Sequence, residues 1–240
     1  MALLARLVTW LNAWFVKPAG GDSRPPFLDI DAVYPSLRSL EAAYPAIRDE
    51  ALAVMEGVDS IPVYDELDPV QHCISAVTPG HWRVYYLRAM GRPAEPHSSR
   101  CPRTTEALAG VPDVFQAQFS ILDPGKTVPA HRGPFSGYLR YHLGLIVPEV
   151  EPPRLRVADE VRAWRNGEGM LFDDRFEHEV YNTSTEFRVV LIVDILRPMP
   201  LPQRLVNRAL VPVIRRFYGR PVLERARQYA EATERLDRAA

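Results

Sequence analysis

The stretch FRVVLIVDIL, residues 187–196, decides the fold class. Its β-branched run, Val189 to Val193, is apolar on both faces, the pattern of a strand buried on both sides within a sheet. Arg188 sits near its start. A guanidinium there needs an anion, because an unpaired buried charge costs several kcal/mol, of the order of 5, in lost hydration. Glu186 and Asp194 are the carboxylates at hand; a bound ligand's carboxylate is the alternative.

Outward from this strand the same kind of segment recurs. HWRVYYL (81–87), VFQAQFSIL (114–122), YLRYHLGLIV (138–147), LRV (155–157), GMLF (169–172) and HEVYN (178–182) are short apolar or alternating runs separated by Gly, Pro, Asp and Asn. Many short strands with turn signals between them predict a mainly β sandwich or barrel. Residues 35–57, with Leu37, Leu40, Ala43, Ile47, Leu52 and Met55, predict a helix on its flank. The expected organisation is an N-terminal amphipathic helix over 1–20, one domain over 21–200 with its β core at about 80–198, and a basic helical extension over 201–240.

Strand alternation sorts the side chains. In YLRYHLGLIV, Tyr138, Arg140 and His142 share one face, and Leu139, Tyr141, Leu143 and Leu145 the other. In VFQAQFSIL, Gln116, Gln118 and Ser120 oppose Phe115, Ala117, Phe119 and Ile121. With Arg188, these polar faces can converge on one ligand-binding cavity. The candidate metal ligands are His131 and His178, each beside a strand. Neutral imidazole suits borderline metals, and iron oxygenases commonly combine two His with one carboxylate. In a familiar form of that motif the carboxylate follows the first His by two residues; here that residue is Gly133. Asp173, Asp174, Glu177 and Glu179 lie close to His178 and could stand behind a metal-bound water.

The whole chain sets outer limits. With 240 residues, 47% hydrophobic and 25% charged, it is an ordinary globular composition, and a net charge of -1 gives no general attraction to nucleic acid. Cys73 and Cys101 are too few for a disulfide scaffold or a thiolate zinc site and fit a reduced, cytoplasmic setting. The ends are distinctive. In MALLARLVTWLNAWFVK, Leu4, Leu7, Val8, Leu11, Trp14 and Phe15 recur at helical spacing; LPQRLVNRALVPVIRRFYGR, residues 201–220, has five arginines and no acid, with Leu205, Ala209, Leu210, Val213 and Phe217 as an apolar stripe that Pro212 should kink. Neither reaches the roughly 20 apolar residues of a membrane span, and Arg6 interrupts what a cleavable leader would keep apolar. Two readings stand: helices packed on the domain, or helices lying on the anionic inner face of a membrane.

The segments SILDPGKTVPAHRGPFSGYLRYHLGLIVP, VRAWRNGEGMLFDDRFEHEVYN and FRVVLIVDILRP resemble the aspartyl/asparaginyl β-hydroxylase family of Fe(II)- and 2-oxoglutarate-dependent dioxygenases, over roughly residues 60–198. The resemblance implies a double-stranded β-helix (jelly-roll, cupin-like) core with flanking N- and C-terminal helices. It implies His131 and His178 as iron ligands, Arg188 with Ser120 on the distal carboxylate of 2-oxoglutarate, and Arg140 and His142 lining the cofactor and substrate side, with Arg140 counted as catalytic. The family's peptide-hydroxylating members also carry glycine where Gly133 stands, so two His plus water is a workable ligand set.

The implied reaction couples O2 and 2-oxoglutarate, released as succinate and CO2, to hydroxylation of an unactivated C–H. The first expected acceptor is the β-carbon of a peptidyl or free Asp or Asn. Two departures weigh against it: Tyr138 stands where Asp/Asn-hydroxylating members have an arginine, and Thr104 and Thr105 follow Cys101 where those members have a second cysteine. The alternatives are an acyl chain of a membrane lipid, a halogenase using the room at Gly133 for chloride, and a non-catalytic carboxylate-binding module.

Overall fold

The computed structural model describes residues 2–237; Met1 and residues 238–240, the tips of the two terminal segments, lie outside the described residues, as does the side chain of Leu4. Eleven strands form among them: β1 (Phe27–Leu28), β2 (Trp82–Ala89), β3 (Arg92–Pro93), β4 (Val114–Leu122), β5 (Val128–His131), β6 (Tyr138–Ile146), β7 (Arg154–Val157), β8 (Glu160–Ala163), β9 (Gly169–Phe172), β10 (His178–Tyr181) and β11 (Arg188–Leu196). The large sheet runs β1-β9-β6-β11-β4-β2-β3 and the small sheet β5-β10-β7-β8. From β4 onward the chain crosses between the two sheets at almost every step, returning to the large one at β6, β9 and β11. That alternation makes the core a double-stranded β-helix, or jelly roll, of cupin-like form.

The central strand β11 pairs with β6 and β4 and is buried along its length because the large sheet is covered on both faces. On the outer face, Leu191 and Val193 pack with Leu139, Tyr141, Leu143 and Phe119 against Leu37, Leu40, Ile47 and Ala51 of the helical flank. On the inner face, Val190, Ile192, Val84 and Phe172 meet Val128, Leu155, Val157 and Val180 of the small sheet. The inner and outer sets on β6 match the alternation of its sequence. The helix expected over 35–57 is instead three pieces, Pro35–Leu37, Arg38–Ala42 and Tyr44–Met55, with Pro45 opening the last. A proline's missing N–H is tolerated in a first turn and not in mid-helix.

On β4 the alternation fails at one end. A bulge opposite Asp194 and Ile195 inserts a residue. Val114 therefore joins the outer core, and Phe115 turns away from it to stack on Tyr138.

The terminal helices, Ala2–Val16 and Leu201–Ile214, pack near one end of the barrel. Asn12 of the first donates to the Pro134 carbonyl at 3.1 Å and accepts from the Ser136 amide at 2.9 Å, while Phe15 is buried against Phe135. Pro212 lies inside the second helix without ending it; the chain passes into a π turn, Arg215–Gly219, and then a helix to Asp237. Among the described residues, no helix is long and apolar enough to cross a membrane.

Candidate active site

His131 ends β5 and His178 begins β10, and the antiparallel register sets them directly opposite. Their ring centroids are 4.1 Å apart. Nδ1 of His131 lies 2.8 Å from the Pro129 carbonyl and Nδ1 of His178 lies 3.0 Å from that of Phe176. A carbonyl only accepts, so each Nδ1 carries the hydrogen and each Nε2 keeps its lone pair. Burial lowers both pKa values, that of His178 further because His131 adds a like charge, so the rings are neutral near pH 7. Two neutral imidazoles with free Nε2 lone pairs on adjacent strands suit a borderline cation. Among the described residues, no three His, Cys, Asp or Glu side chains gather to hold an ion by themselves.

Gly133 has a structural cause. A Cβ built there would lie 2.2 Å from Oδ2 of Asp174, well inside contact distance. Gly133 also donates its amide to the Asp174 carbonyl at 2.8 Å. Of the four acids near His178, Asp174 is the one whose carboxylate fills this space: Asp173 is held by Arg24 and Arg197, and Glu177 and Glu179 by Arg156. Asp174 is fully buried, accepts from the Tyr138 hydroxyl at 3.0 Å and leaves Oδ1 without a partner. Burial, aided by neighbouring Asp194 and Asp173, pushes its pKa up against the pull of Arg140.

The inner face of the large sheet carries the remaining predicted residues. Arg140 donates from Nε and Nη2 to Asp194 at 2.8 and 2.9 Å, and its Nη1 lies 3.5 Å from Asp174. Burial opposes its charge, but the two carboxylates outweigh that cost and hold it protonated. Arg188 is different. The sequence offered Glu186 or Asp194 as its partner, yet Asp194 is taken by Arg140, and no carboxylate pairs with Arg188 among the described residues. It is 2% exposed, with Nη1 3.4 Å from both the Ser120 hydroxyl and carbonyl oxygens, its guanidinium 4.7 Å from the Trp164 ring centroid, and Nε unpartnered. Burial alone pulls its pKa down to about 9.

His142 shares this space. Its ring is 5.8 Å from Trp164 and 4.9 Å from Phe172, and neither nitrogen has a partner. Burial drives its pKa well down, assisted by Arg140 and Arg188. Trp164 Nε1 is also buried and unpartnered. Ser120 keeps its hydroxyl oriented by accepting from Trp82 Nε1 at 2.9 Å. An unmade buried hydrogen bond costs about 1–3 kcal/mol, so several orphaned groups around one cation mark a place built for an anionic, hydrogen-bonding ligand. Trp164 escaped the sequence reading: one aromatic after a short strand carries no signal of its own.

A cavity of about 470 Å³ extends from His131, Gly133, Arg140 and Asp174 outward. Its walls are mainly apolar, including Ile74, Met90, Phe115, Phe135 and Ile192, and it reaches Val8 of the first helix, Val70, and Ile214 and Tyr218 at the end of the chain's basic segment. Arg132 is exposed where it lines this cavity.

Fold and site together define a jelly-roll protein of the cupin-like class, with a histidine pair on one sheet and an unneutralised arginine on the other. Within that class the chain belongs to the aspartyl/asparaginyl β-hydroxylase family, whose pattern matches residues 41–198. It is 38% identical over 206 residues to the ornithine lipid ester-linked acyl 2-hydroxylase of Rhizobium tropici, covering 85% of this chain and 72% of that protein. It is 34% identical over 173 residues to human aspartyl/asparaginyl β-hydroxylase, covering 70% of this chain but 22% of that longer protein. Among solved structures, a cupin 2 conserved barrel domain protein from Salinispora arenicola overlaps at a TM-score of 0.33 and 12% identity, over 53% of this chain and 83% of its own. The chain is thus an enzyme of a hydroxylase family.

Proposed function

We propose that the chain is an Fe(II)- and 2-oxoglutarate-dependent dioxygenase that hydroxylates an acyl chain of a membrane lipid. His131 and His178 would hold iron through Nε2, and Arg188, His142 and Ser120 would hold the oxoacid's distal carboxylate; when bound, metal and oxoacid supply the O2-activating redox chemistry. The chain's own residues do the rest. The Arg188 guanidinium gains the anion it lacks, so binding relieves a cost already present in the folded protein. Asp174, fixed by Tyr138 and Arg140, offers its unpartnered oxygen beside the histidine pair, where it can orient water and hold a proton. The apolar walls keep bulk water away.

The observation that carries the acceptor assignment is the cavity itself. Its apolar length suits methylenes, and its one inner guanidinium, Arg140, is already matched by Asp194 and Asp174, leaving no inner cation for an Asp side chain among the described residues. Arg132 at the exposed part of the lining is placed to meet a polar head. The lipid acyl 2-hydroxylase relative supports the same reading. An Asp or Asn acceptor, the first expectation from sequence, is favoured less by this lining. A halide beside Gly133 would meet the Asp174 carboxyl group, which speaks against halogenation.

The test is incubation with Fe(II), 2-oxoglutarate, ascorbate and O2 against an acyl lipid and against Asp- and Asn-containing peptides, with products read by mass. One added oxygen on the acyl chain, with matching succinate, is expected. Hydroxylated peptide with unchanged lipid would overturn the acceptor assignment, and product without 2-oxoglutarate would overturn the cofactor assignment.

A further inference from the structure

The cavity's rim is made by segments distant in sequence. Val8 lies on the first helix, Val70 on the turn Pro69–Gln71, and Ile214 and Tyr218 at the junction of the last two helices. Beside these lining residues stand large apolar side chains that the fold leaves in water: Leu7 and Trp10 flank Val8, while Val213 and Phe217 flank Ile214. Trp10 is 60% and Phe217 75% exposed.

The two helical segments that reach this rim carry an excess of exposed positive charge. Arg6 and Lys17 are exposed on or just after the first helix, with no acid before Asp22; Arg216 in the π turn and Arg220 at the start of the following helix are exposed, with no acid in sequence between Asp194 and Glu224. Two other arginines there have partners, Arg208 at the surface with Asp113 and Arg215 with the Met90 carbonyl. Asp68 is buried beneath Tyr218, and Glu95 and Glu224 stand beside Arg216 and Arg220, so cations are in excess rather than alone; exposed aromatic and aliphatic side chains with such an excess match the interface of an anionic bilayer.

We propose that this rim seats on an anionic lipid bilayer, with the cavity mouth against it, so that an acyl chain passes from bilayer to cavity without crossing water. The proposal rests on the acyl-acceptor reading for its substrate, and on the exposed rim for its docking.

The experiment is sedimentation with phosphatidylcholine vesicles, with and without phosphatidylglycerol, at low and high salt. Strong association is expected only with phosphatidylglycerol at low salt, and a W10E/F217E variant, altered at residues outside the cavity lining, should lose at least tenfold in partitioning. Its thermal midpoint and its turnover of detergent-dispersed acyl substrate should stay near those of the parent, while turnover of vesicle-embedded lipid falls at least tenfold. Absence of vesicle association, or equal association of the variant, overturns docking even if dispersed substrate is hydroxylated. Salt-sensitive association that W10E/F217E abolishes supports docking even if no acyl chain reacts, in which case the acceptor assignment alone fails. Concentration-dependent dimerisation that the variant abolishes, without vesicle binding, overturns docking and assigns the rim to a second copy.

Discussion

Replacing Arg188 by methionine should make the ligand-free protein more stable while removing its response to 2-oxoglutarate. Burial pulls the guanidinium's pKa down to about 9, well below its ordinary range, which as an order of magnitude is a folding cost of about 5 kcal/mol near neutral pH. The sign is unambiguous. Above pH 9 and up to the ordinary guanidinium range the unfolded chain binds more protons, so stability rises with pH there, and at pH 7 the whole cost is present. The Trp164 contact returns about 0.5–2 kcal/mol and the long Ser120 contacts less. Methionine of similar length should therefore gain about 2–4 kcal/mol, or roughly 4–16 °C in midpoint for a chain of this size. Ligand reverses the order. At a hundred times its dissociation constant the proposed 2-oxoglutarate ligand should stabilise the parent by about 2.7 kcal/mol and the variant not at all. Denaturation with and without 2-oxoglutarate measures both effects. A ligand-free R188M protein less stable than the parent by 1 kcal/mol or more (about RT ln 5) would refute the reasoning, since Arg188 would then be satisfied within the chain.

Arg140 should behave oppositely: R140M strands the Asp194 and Asp174 carboxylates, and chemical denaturation should register a loss of about 3–5 kcal/mol. Gly133→Ala should cost about 1–3 kcal/mol by overlap with Asp174, and the G133A/D174A double variant should be less damaged than the sum of the singles; additive losses would show that the two sites do not touch. His97, buried on Tyr85 with a pKa lowered to about 4 chiefly by burial, should make stability fall as pH drops from 6.5 toward 4, at up to about 1.4 kcal/mol per unit; the slope of urea midpoints against pH should flatten in H97Q. Ile214→Asp, at the cavity wall, should raise KM for an acyl substrate by about 10–100-fold while uncoupled succinate formation persists, as steady-state kinetics would show.

Much of this architecture was visible in residue patterns because strand alternation is a local property. Arg140 and His142 separate from Leu139, Tyr141 and Leu143 on β6 as their spacing demands, and the unbroken apolar run of β11 does mark a strand covered on both sides. The pattern misled at Phe115, since a bulge shifts parity and one sequence carries no sign of the partner strand's register. Ion pairing was harder still. Whether Asp194 serves Arg140 or Arg188 depends on β6 lying beside β11, which places Asp194 opposite Arg140. The glycine at 133 read as a missing ligand; only the arrival of Asp174 from the far side of the hairpin reveals a steric demand.

The family's defining stretch ends at residue 198, yet Val8, Ile214 and Tyr218, which close the far part of the cavity, lie outside it. The residues that close the outer cavity are thus supplied by the chain's two ends, while the histidine pair and Arg188 lie within the family stretch. A fragment trimmed to residues 41–198 would keep the barrel's two facing histidines yet leave the cavity without the wall that Val8, Ile214 and Tyr218 provide.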